Sequence, residues 1–285
     1  MEFTKMQGAG NDFVVVDGRN LEHDWSTLAI RVCNRHLGVG CDSLIALLPS
    51  DKADFGMRTF DADGSEAETC GNGIRCIARY VLEKGFASPD AEGMTIATQA
   101  AVNIISFERE NGRIVKFWVN MKNPGFRQNE IPVDFGGSNG YKQVKSMLVY
   151  PVEVNGMKLM LNLVSMGNPH AVHFCEQPVE SFPMSVIGPV IENLPIFPHR
   201  VNFEIARVLD NGHVEARVWE RGVGETQACG SGACAITIAS RVNGFIDDEA
   251  DIILPGGVLQ AKWNGSGDII LGGPAEIVFE GVWPD

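Results

Sequence analysis

The sequence predicts an α+β fold built from two similar halves, and three observations predict it. The motif E-x-x-x-C-G-x-G occurs twice, at Glu66-Ala67-Glu68-Thr69-Cys70-Gly71-Asn72-Gly73 and at Glu225-Thr226-Gln227-Ala228-Cys229-Gly230-Ser231-Gly232. A mostly apolar segment of helix length follows each copy, Ile74 to Lys84 closed by Gly85, and Ala233 onward to a stop near Asn243-Gly244. Most of the rest is short β-type runs, punctuated by the hairpin signals Asn111-Gly112, Asn155-Gly156 and Asn211-Gly212. One motif lies in each half of the chain, so an internal duplication is the economical reading.

Taken in order, Met1 to Lys5 and Phe13 to Asp17 read as strands around a Gly8-Ala9-Gly10-Asn11-Asp12 turn. A helix is expected from Ser26 to Arg35, with His36 near its end, then strands at Ser43–Leu48 and Asp54–Phe60 before the first cysteine helix. Thr95 to Phe107 and Ile114 to Val119 read as β segments. Asn120 to Lys145 is the least periodic stretch, with Pro124-Gly125 and Gly136-Gly137-Ser138-Asn139-Gly140, and reads as the domain connection. Beyond it the pattern recurs: β segments, a helix at Ser185–Asn193, the second cysteine helix and a β-rich tail.

Composition narrows the function. The 285 residues, 45% hydrophobic and 21% charged, describe a globular protein of one large or two ordinary domains. A net charge of -13 argues against nucleic acid or an anionic membrane as the main partner. No basic-plus-apolar leader and no run of membrane-spanning length is evident, so a cytoplasmic protein is expected. Seven cysteines in a chain too long to need stapling are expected to be thiols. Their spacings include no C-x-x-C, which weakens a zinc ribbon or thioredoxin-like centre, and no metal site is expected. The Gly38-x-Gly40 pair lacks the third glycine of a dinucleotide site, and no P-loop is present.

The repeated thiols carry the chemistry. Each sits on a turn of small residues directly before a helix, where free N–H groups and the positive dipole end favour a thiolate. Inverting a Cα stereocentre needs a base on one face and an acid on the other, and cysteine can play either part. Glycine-rich turns supply N–H donors to a substrate carboxylate that takes up charge as the α-proton leaves. Cys33, Cys41, Cys76, Cys175 and Cys234 read instead as small buried hydrophobes.

The chain resembles the diaminopimelate epimerase family almost end to end. The likeness rests on Phe3-Thr4-Lys5-Met6-Gln7-Gly8-Ala9-Gly10-Asn11-Asp12-Phe13, Arg35-His36-Leu37-Gly38-Val39-Gly40-Cys41-Asp42, Asp63-Gly64-Ser65-Glu66 and Cys70-Gly71-Asn72-Gly73. It continues through Gly167-Asn168-Pro169-His170, Asn202, Glu220-Arg221-Gly222, Gly224-Glu225-Thr226 and Cys229-Gly230-Ser231-Gly232. The resemblance implies two pseudo-symmetric domains, each a curved β-sheet or barrel wrapped around a central α-helix, with the site in the cleft between them. It implies boundaries near 1–122, joined by a returning C-terminal strand at about 274–285, and 123–273. It further implies a cofactor-independent epimerase of lysine and peptidoglycan precursor synthesis, interconverting LL- and meso-diaminopimelate with Cys70 and Cys229 as acid and base. A homodimer is expected.

By the same resemblance, Asn11, Asn72, Asn168 and Asn202 bind the substrate's head groups, with Gly71, Gly230 and Ser231 at the helix starts. Arg221 is implied as a bidentate carboxylate donor and Glu220 as an ammonium acceptor. His170 is implied as a supporting residue beside the centre, whereas His36 and His173 read as structural. Two positions depart from the pattern. Asp61 stands where the family usually has Asn, and a carboxylate accepts from an ammonium but cannot donate to a carboxylate. Ser43 stands where relatives have Gln or a small residue. A proline or hydroxyproline racemase shares the two-thiol logic, but that family's Cys-Gly-His and Asp-Arg-Ser-Pro signatures are absent. A thiol-based metal or redox protein and a non-enzymatic binding protein of the same fold are the readings from other classes.

Overall fold

A computed structural model describes residues 1–67, 70–136 and 140–284. Glu68 and Thr69 of the first motif, and residues 137–139 of the aperiodic stretch, lie outside the described residues. The chain divides into two compact units, Met1–Asn120 with Gly272–Asp285, and Met121–Leu271.

The first unit runs β1 (Glu2–Gly8), β2 (Asn11–Asp17), α1 (Trp25–Cys33), β3 (Ser43–Leu48), β4 (Phe55–Asp61), β5 (Glu66–Ala67), α2 (Gly71–Glu83), β6 (Gly93–Ala97), β7 (Val102–Glu110) and β8 (Arg113–Asn120). The second runs β9 (Lys142–Val144), β10 (Met147–Val154), β11 (Met157–Ser165), β12 (Pro169–Phe174), α3 (Met184–Glu192), β13 (Asn202–Asp210), β14 (His213–Glu220), β15 (Gly224–Thr226), α4 (Gly230–Asn243), β16 (Glu249–Leu254) and β17 (Gly257–Lys262). β18 (Ile270–Gly273) spans the division, and β19 (Glu276–Val282) pairs antiparallel with β1 in the first unit.

The duplication is visible strand by strand. In the first unit β1–β2 is antiparallel, β2–β3 parallel, β3–β4 antiparallel, β4–β6 parallel and β6–β7 antiparallel. The second repeats that series in β11–β12, β12–β13, β13–β14, β14–β16 and β16–β17. Helices interrupt the series at matching places: α1 and α3 lie in the parallel crossovers between β2 and β3 and between β12 and β13. The cysteine helices α2 and α4 follow the short strands β5 and β15. Within its own unit α2 packs against β1, β2, β4, β8 and β19, and α4 against β11, β12, β13, β16 and β17. Each sheet therefore curves around one helix, which is why both helices are apolar on most sides.

Burial on both faces explains the apolar runs. Val14, Val16, Leu44 and Ala46 meet Trp25, Leu28 and Val32 of α1. The alternate side chains Phe13, Val15, Ile45 and Leu47 are equally buried, as expected of central strands covered on both sides.

Several expectations are corrected. The first helix spans Trp25–Cys33 because Asp24 caps it, accepting from the Thr27 N–H at 3.1 Å. It stops short of Arg35 because Asn34 Oδ1 accepts from the N–H groups of His36 and Leu37 and turns the chain. Thr95–Phe107 is two strands, broken where Thr98 and Ala101 bond to each other. The aperiodic stretch is partly structural: Ile131, Val133 and Phe135 are buried in the core of the second unit. Asn111-Gly112 and Asn155-Gly156 turn with both residues at positive φ, but Asn211-Gly212 does not. There Asp210 Oδ1 accepts from the Gly212 N–H at 2.8 Å and the strand register shifts.

Candidate active site

Both motif cysteines are N-cap residues with extended backbones, Cys70 at φ -144 and ψ 104, Cys229 at φ -122 and ψ 118. Each Sγ accepts from the N–H three residues on, Gly73 or Gly232, at 3.4 Å. The thiol thus stands where a Ser or Asp oxygen normally caps a helix. The helices begin at Gly71 and Gly230, earlier than the apolar runs suggest, because the small residues of the turn are their first turn. The last glycine of each motif is closely packed. A Cβ on Gly73 would lie 2.9 Å from Ile45 Cδ1, and one on Gly232 would lie 3.2 Å from Glu204 Oε1.

Strand register sets the other expected residues at corresponding positions. Ser43 opens β3 opposite Asp61, which closes β4. Asn202 opens β13 and Glu220 closes β14, and the Phe203–Trp219 pairing sets these two opposite each other. Phe13 pairs with Ser43 as His170 pairs with Asn202, so Asn11 and Asn168 correspond as well. Counting from the cysteines, Asn72 matches Ser231. The carboxylate of Asp61 therefore occupies in one half the position that Glu220 occupies in the other.

In the first unit Asn11 Oδ1 accepts from Asn72 Nδ2 at 3.2 Å, and Cys70 Sγ lies 3.9 Å from it. Asn11 Nδ2 donates to Asp42 at 2.7 Å, and Arg35 bridges Asp42 and Asp12. Lys5 donates to Asp12 and to the Gly40 carbonyl. Burial opposes the charge on Asp12, but the bonds from Arg35 and Lys5 outweigh it and hold the carboxyl down at about 2. Asn72 Oδ1 accepts from Arg75 Nη2 at 2.7 Å, and the fully buried Arg75 also bonds the Pro274 carbonyl. Ser43 Oγ donates to Asp61 Oδ1 at 2.8 Å, so the two departures from the family pattern form one cross-strand pair. Burial pushes the Asp61 carboxyl up despite that bond, with Asp63 and Asp42 adding to it.

In the second unit a chain of contacts leads to Cys229. Glu204 Oε1 lies 2.6 Å from His170 Nδ1, His170 Nε2 lies 3.0 Å from Asn168 Oδ1, Asn168 Nδ2 donates to Ser231 Oγ at 3.3 Å, and Ser231 Oγ is 3.5 Å from Cys229 Sγ. Asn202 is committed to the backbone, donating to the Pro169 carbonyl and accepting from the Arg221 N–H. Arg221 is exposed, and its guanidinium donates to the His199 carbonyl at 3.0 Å. Glu220 accepts from Thr226 Oγ1 at 2.5 Å.

Burial works against the thiolate that the helix start favours at Cys229. Burial pushes this thiol well up, Glu220 adds to the effect, and bonds from Ser231 and Gly232 offset only part. A helix N-terminus favours the anion, but loss of hydration in a buried site opposes it more strongly. Of the cysteines read as core, Cys33, Cys41, Cys76 and Cys234 are buried, whereas Cys175 is only half-buried, its Sγ 3.2 Å from the Gln177 carbonyl. His36 is exposed, and His173 accepts from the Met160 N–H at 3.1 Å. Among the described residues no three His, Cys, Asp or Glu side chains group as metal ligands. Arg75 and Glu204 are site neighbours that no motif marks. Both stand as lone charges inside apolar runs, which is the signal that sequence offers for them.

Duplicated units, each a curved sheet around one helix, form a fold that this chain shares with a solved amino-acid epimerase. The hydroxyproline epimerase from Agrobacterium vitis, solved with bound trans-4-hydroxy-L-proline, aligns with a TM-score of 0.67 over 99% of this chain and 91% of that one, at 14% identity, a likeness of fold. The chain itself belongs to the diaminopimelate epimerase family, whose profile matches residues 3–123 and 162–278. It is 42% identical to the diaminopimelate epimerase of Pelotomaculum thermopropionicum, covering 100% of this chain and 99% of that protein. It is 43% identical to that of Carboxydothermus hydrogenoformans, covering 99% of each. No helix of the described residues is long and apolar enough to cross a membrane.

Proposed function

We propose that the chain interconverts LL- and meso-diaminopimelate, with Cys70 and Cys229 as proton acceptor and donor at the α-carbon and no organic cofactor. The observation that carries the reading is the pair of thiol N-caps at matching positions of a duplicated fold, in a chain of this family. Inversion needs one acid and one base, and each half contributes one thiol. A thiol raised by burial is a weak acid, and its thiolate is a correspondingly strong base, which suits a weakly acidic α-C–H. Backbone N–H groups in the first turns of α2 and α4 would hold the α-carboxylate as charge develops, a contribution of about 10²–10³ in rate per donor in comparable sites. Asn11, Asn72, Asn168, Asn202, Gly71, Gly230, Ser231, Ser43 and Arg221 would bind the head groups, with Glu220 and Asp61 accepting from an ammonium. The division at 1–122 with 274–285 and 123–273 would be the functional one, in a cytoplasmic homodimer.

The test is α-hydrogen exchange. Either diaminopimelate isomer incubated in deuterated water should lose its α-proton signal by NMR and yield the other isomer. Cys70→Ala and Cys229→Ala should each lower turnover by roughly 10³-fold or more, on the scale of losing an essential acid or base. A single variant with near-normal turnover in both directions would sink the two-thiol mechanism. Exchange into trans-4-hydroxyproline but not diaminopimelate would favour the racemase reading instead.

A further inference from the structure

We propose that Glu204 and His170 form a buried positioning pair that directs the Ser231 hydroxyl onto Cys229, through the Asn168 amide. The inference rests on the reading of Cys229 as an acid–base residue. Its foundation is a difference between the two halves. The matching strand registers make Phe13 and Ile45 the counterparts of His170 and Glu204. All four side chains are fully buried. The glycine contacts agree: Gly73 lies against Ile45 and Gly232 against Glu204. The same fold thus accepts an apolar pair at these positions, so the polar pair is not needed to build it. Burying an acid and an imidazole costs free energy that a Phe–Ile pair does not, which points to a role outside folding.

The bond directions supply the role. Asn168 Nδ2 donates to Ser231 Oγ and Asn168 Oδ1 faces His170 Nε2. Nε2 must then carry a proton. Ser231 Oγ, already accepting from the amide, is left to donate its hydroxyl proton to Cys229 Sγ, which supports the thiolate. With Nε2–H fixed, the 2.6 Å contact between His170 Nδ1 and Glu204 Oε1 needs one more proton between them. The pair then holds two protons and no net charge. The surroundings fit that state. Glu204 Oε2 has no hydrogen-bond partner among the described residues, and the Ala171 N–H is the weakest of the influences on the carboxyl. Burial pushes Glu204 up, and the charged groups acting on it are His170 and Glu220; Cys229 in turn is acted on by Glu220 and Glu204. If the pair lost a proton, Nε2 would become an acceptor, the amide would turn over, and Ser231 would donate to Asn168 and face the thiol with a lone pair.

The double variant His170→Phe with Glu204→Ile recreates the pair of the other half and should unfold at the same denaturant concentration as the wild type or higher. Its kcat should fall at least tenfold with KM changed less than threefold, and iodoacetamide labelling of Cys229, followed by peptide mass spectrometry, should slow to a similar degree. Glu204→Gln, which keeps a neutral donor toward Nδ1, should label within threefold of wild type. Labelling of the double variant at or above the wild-type rate would overturn the proposal, because an ionised Glu204 would then have been suppressing the thiolate. So would ¹⁵N NMR of the unmodified protein showing His170 protonated only at Nδ1 near neutral pH. Labelling and NMR need no substrate, so they remain decisive if the epimerase reading itself fails the exchange test.

Discussion

Burial, more than local charge, sets the behaviour of the two residues that depart furthest from expectation. Cys229 caps a helix yet is pushed up, and Asp61 accepts from Ser43 yet is pushed up as well. For Asp61 the sign is definite. A carboxyl raised in the folded state stabilises it fully below the ordinary value of 3.8, and that contribution is lost as pH rises through the raised value. Asp61→Asn keeps an oxygen to accept from Ser43 and removes the charge. Its stability relative to wild type should therefore grow with pH from near zero in strong acid to a plateau at neutrality, about 1 kcal/mol or less given partial exposure. Thermal unfolding from acid to neutral pH checks this, and a gap that shrinks as pH rises would show the carboxylate to be stabilising. Asp12 should behave oppositely. Its stabilisation is present above 3.8 and disappears as pH falls toward about 2. Arg221→Lys keeps the charge but loses the planar fork, and on the functional reading kcat/KM should fall by about tenfold or more; unchanged efficiency would remove Arg221 from the site. The thiols were legible because their motif repeats. The double backbone commitment of Asn202 was not, since an amide's partners leave no trace in sequence.

At the scale of elements, the cysteine helices were legible from composition and the turns, while their exact starts were set by a thiol acting as a cap. The motif glycines give the sharpest prediction at this scale. Replacing a helical glycine with alanine gains about 1 kcal/mol of propensity, but overpacking a core typically costs about 1–3 kcal/mol. At Gly73 the new Cβ meets Ile45 Cδ1 at 2.9 Å and Met57 Cε at 3.0 Å. At Gly232 it meets Glu204 Oε1, Cys229 Cβ and Val218 Cγ2 at 3.2–3.3 Å. Both Gly→Ala variants should lower the midpoint of urea unfolding, Gly73→Ala through the core and Gly232→Ala with a larger loss of turnover. A stabilised variant at either position would show that the neighbours yield freely. The β segments were legible where Asn-Gly turns took positive φ. At Asn211-Gly212 the Asp210 side chain supplies a competing turn, which overrides the two-residue signal.

The pairing that most escapes the sequence spans the whole chain. β19 joins β1 from Glu2↔Val282 to Gln7↔Glu276, and partners so distant in sequence leave no local periodicity to read. The resemblance to the family, not the pattern of residues, suggested a returning strand. Its loss should be severe for the first unit. Ending the chain after Ala275 removes the ladder along β1, the edge-on contact of Phe3 with Phe279, the Lys84–Glu280 ion pair and the bond from the Met1 amino group to the Trp283 carbonyl. It also leaves β1 as an unpaired edge on that side, a site for aggregation. The exposed ion pair contributes at most about 1 kcal/mol, so the ladder and the apolar cover of Phe3 dominate. Arg75 Nε still has the Pro274 carbonyl in such a chain, which separates loss of the strand from loss of that anchor. Residues 121–271 retain every strand pairing from β9 to β17. The truncated chain should therefore melt in two calorimetric steps, the lower one belonging to the first unit, with amide exchange protection lost first in β1 and α2. A single transition within roughly 2 °C of the full-length protein, less than a 1 kcal/mol change would produce in a chain of this size, would show that β19 contributes little to holding the first unit together.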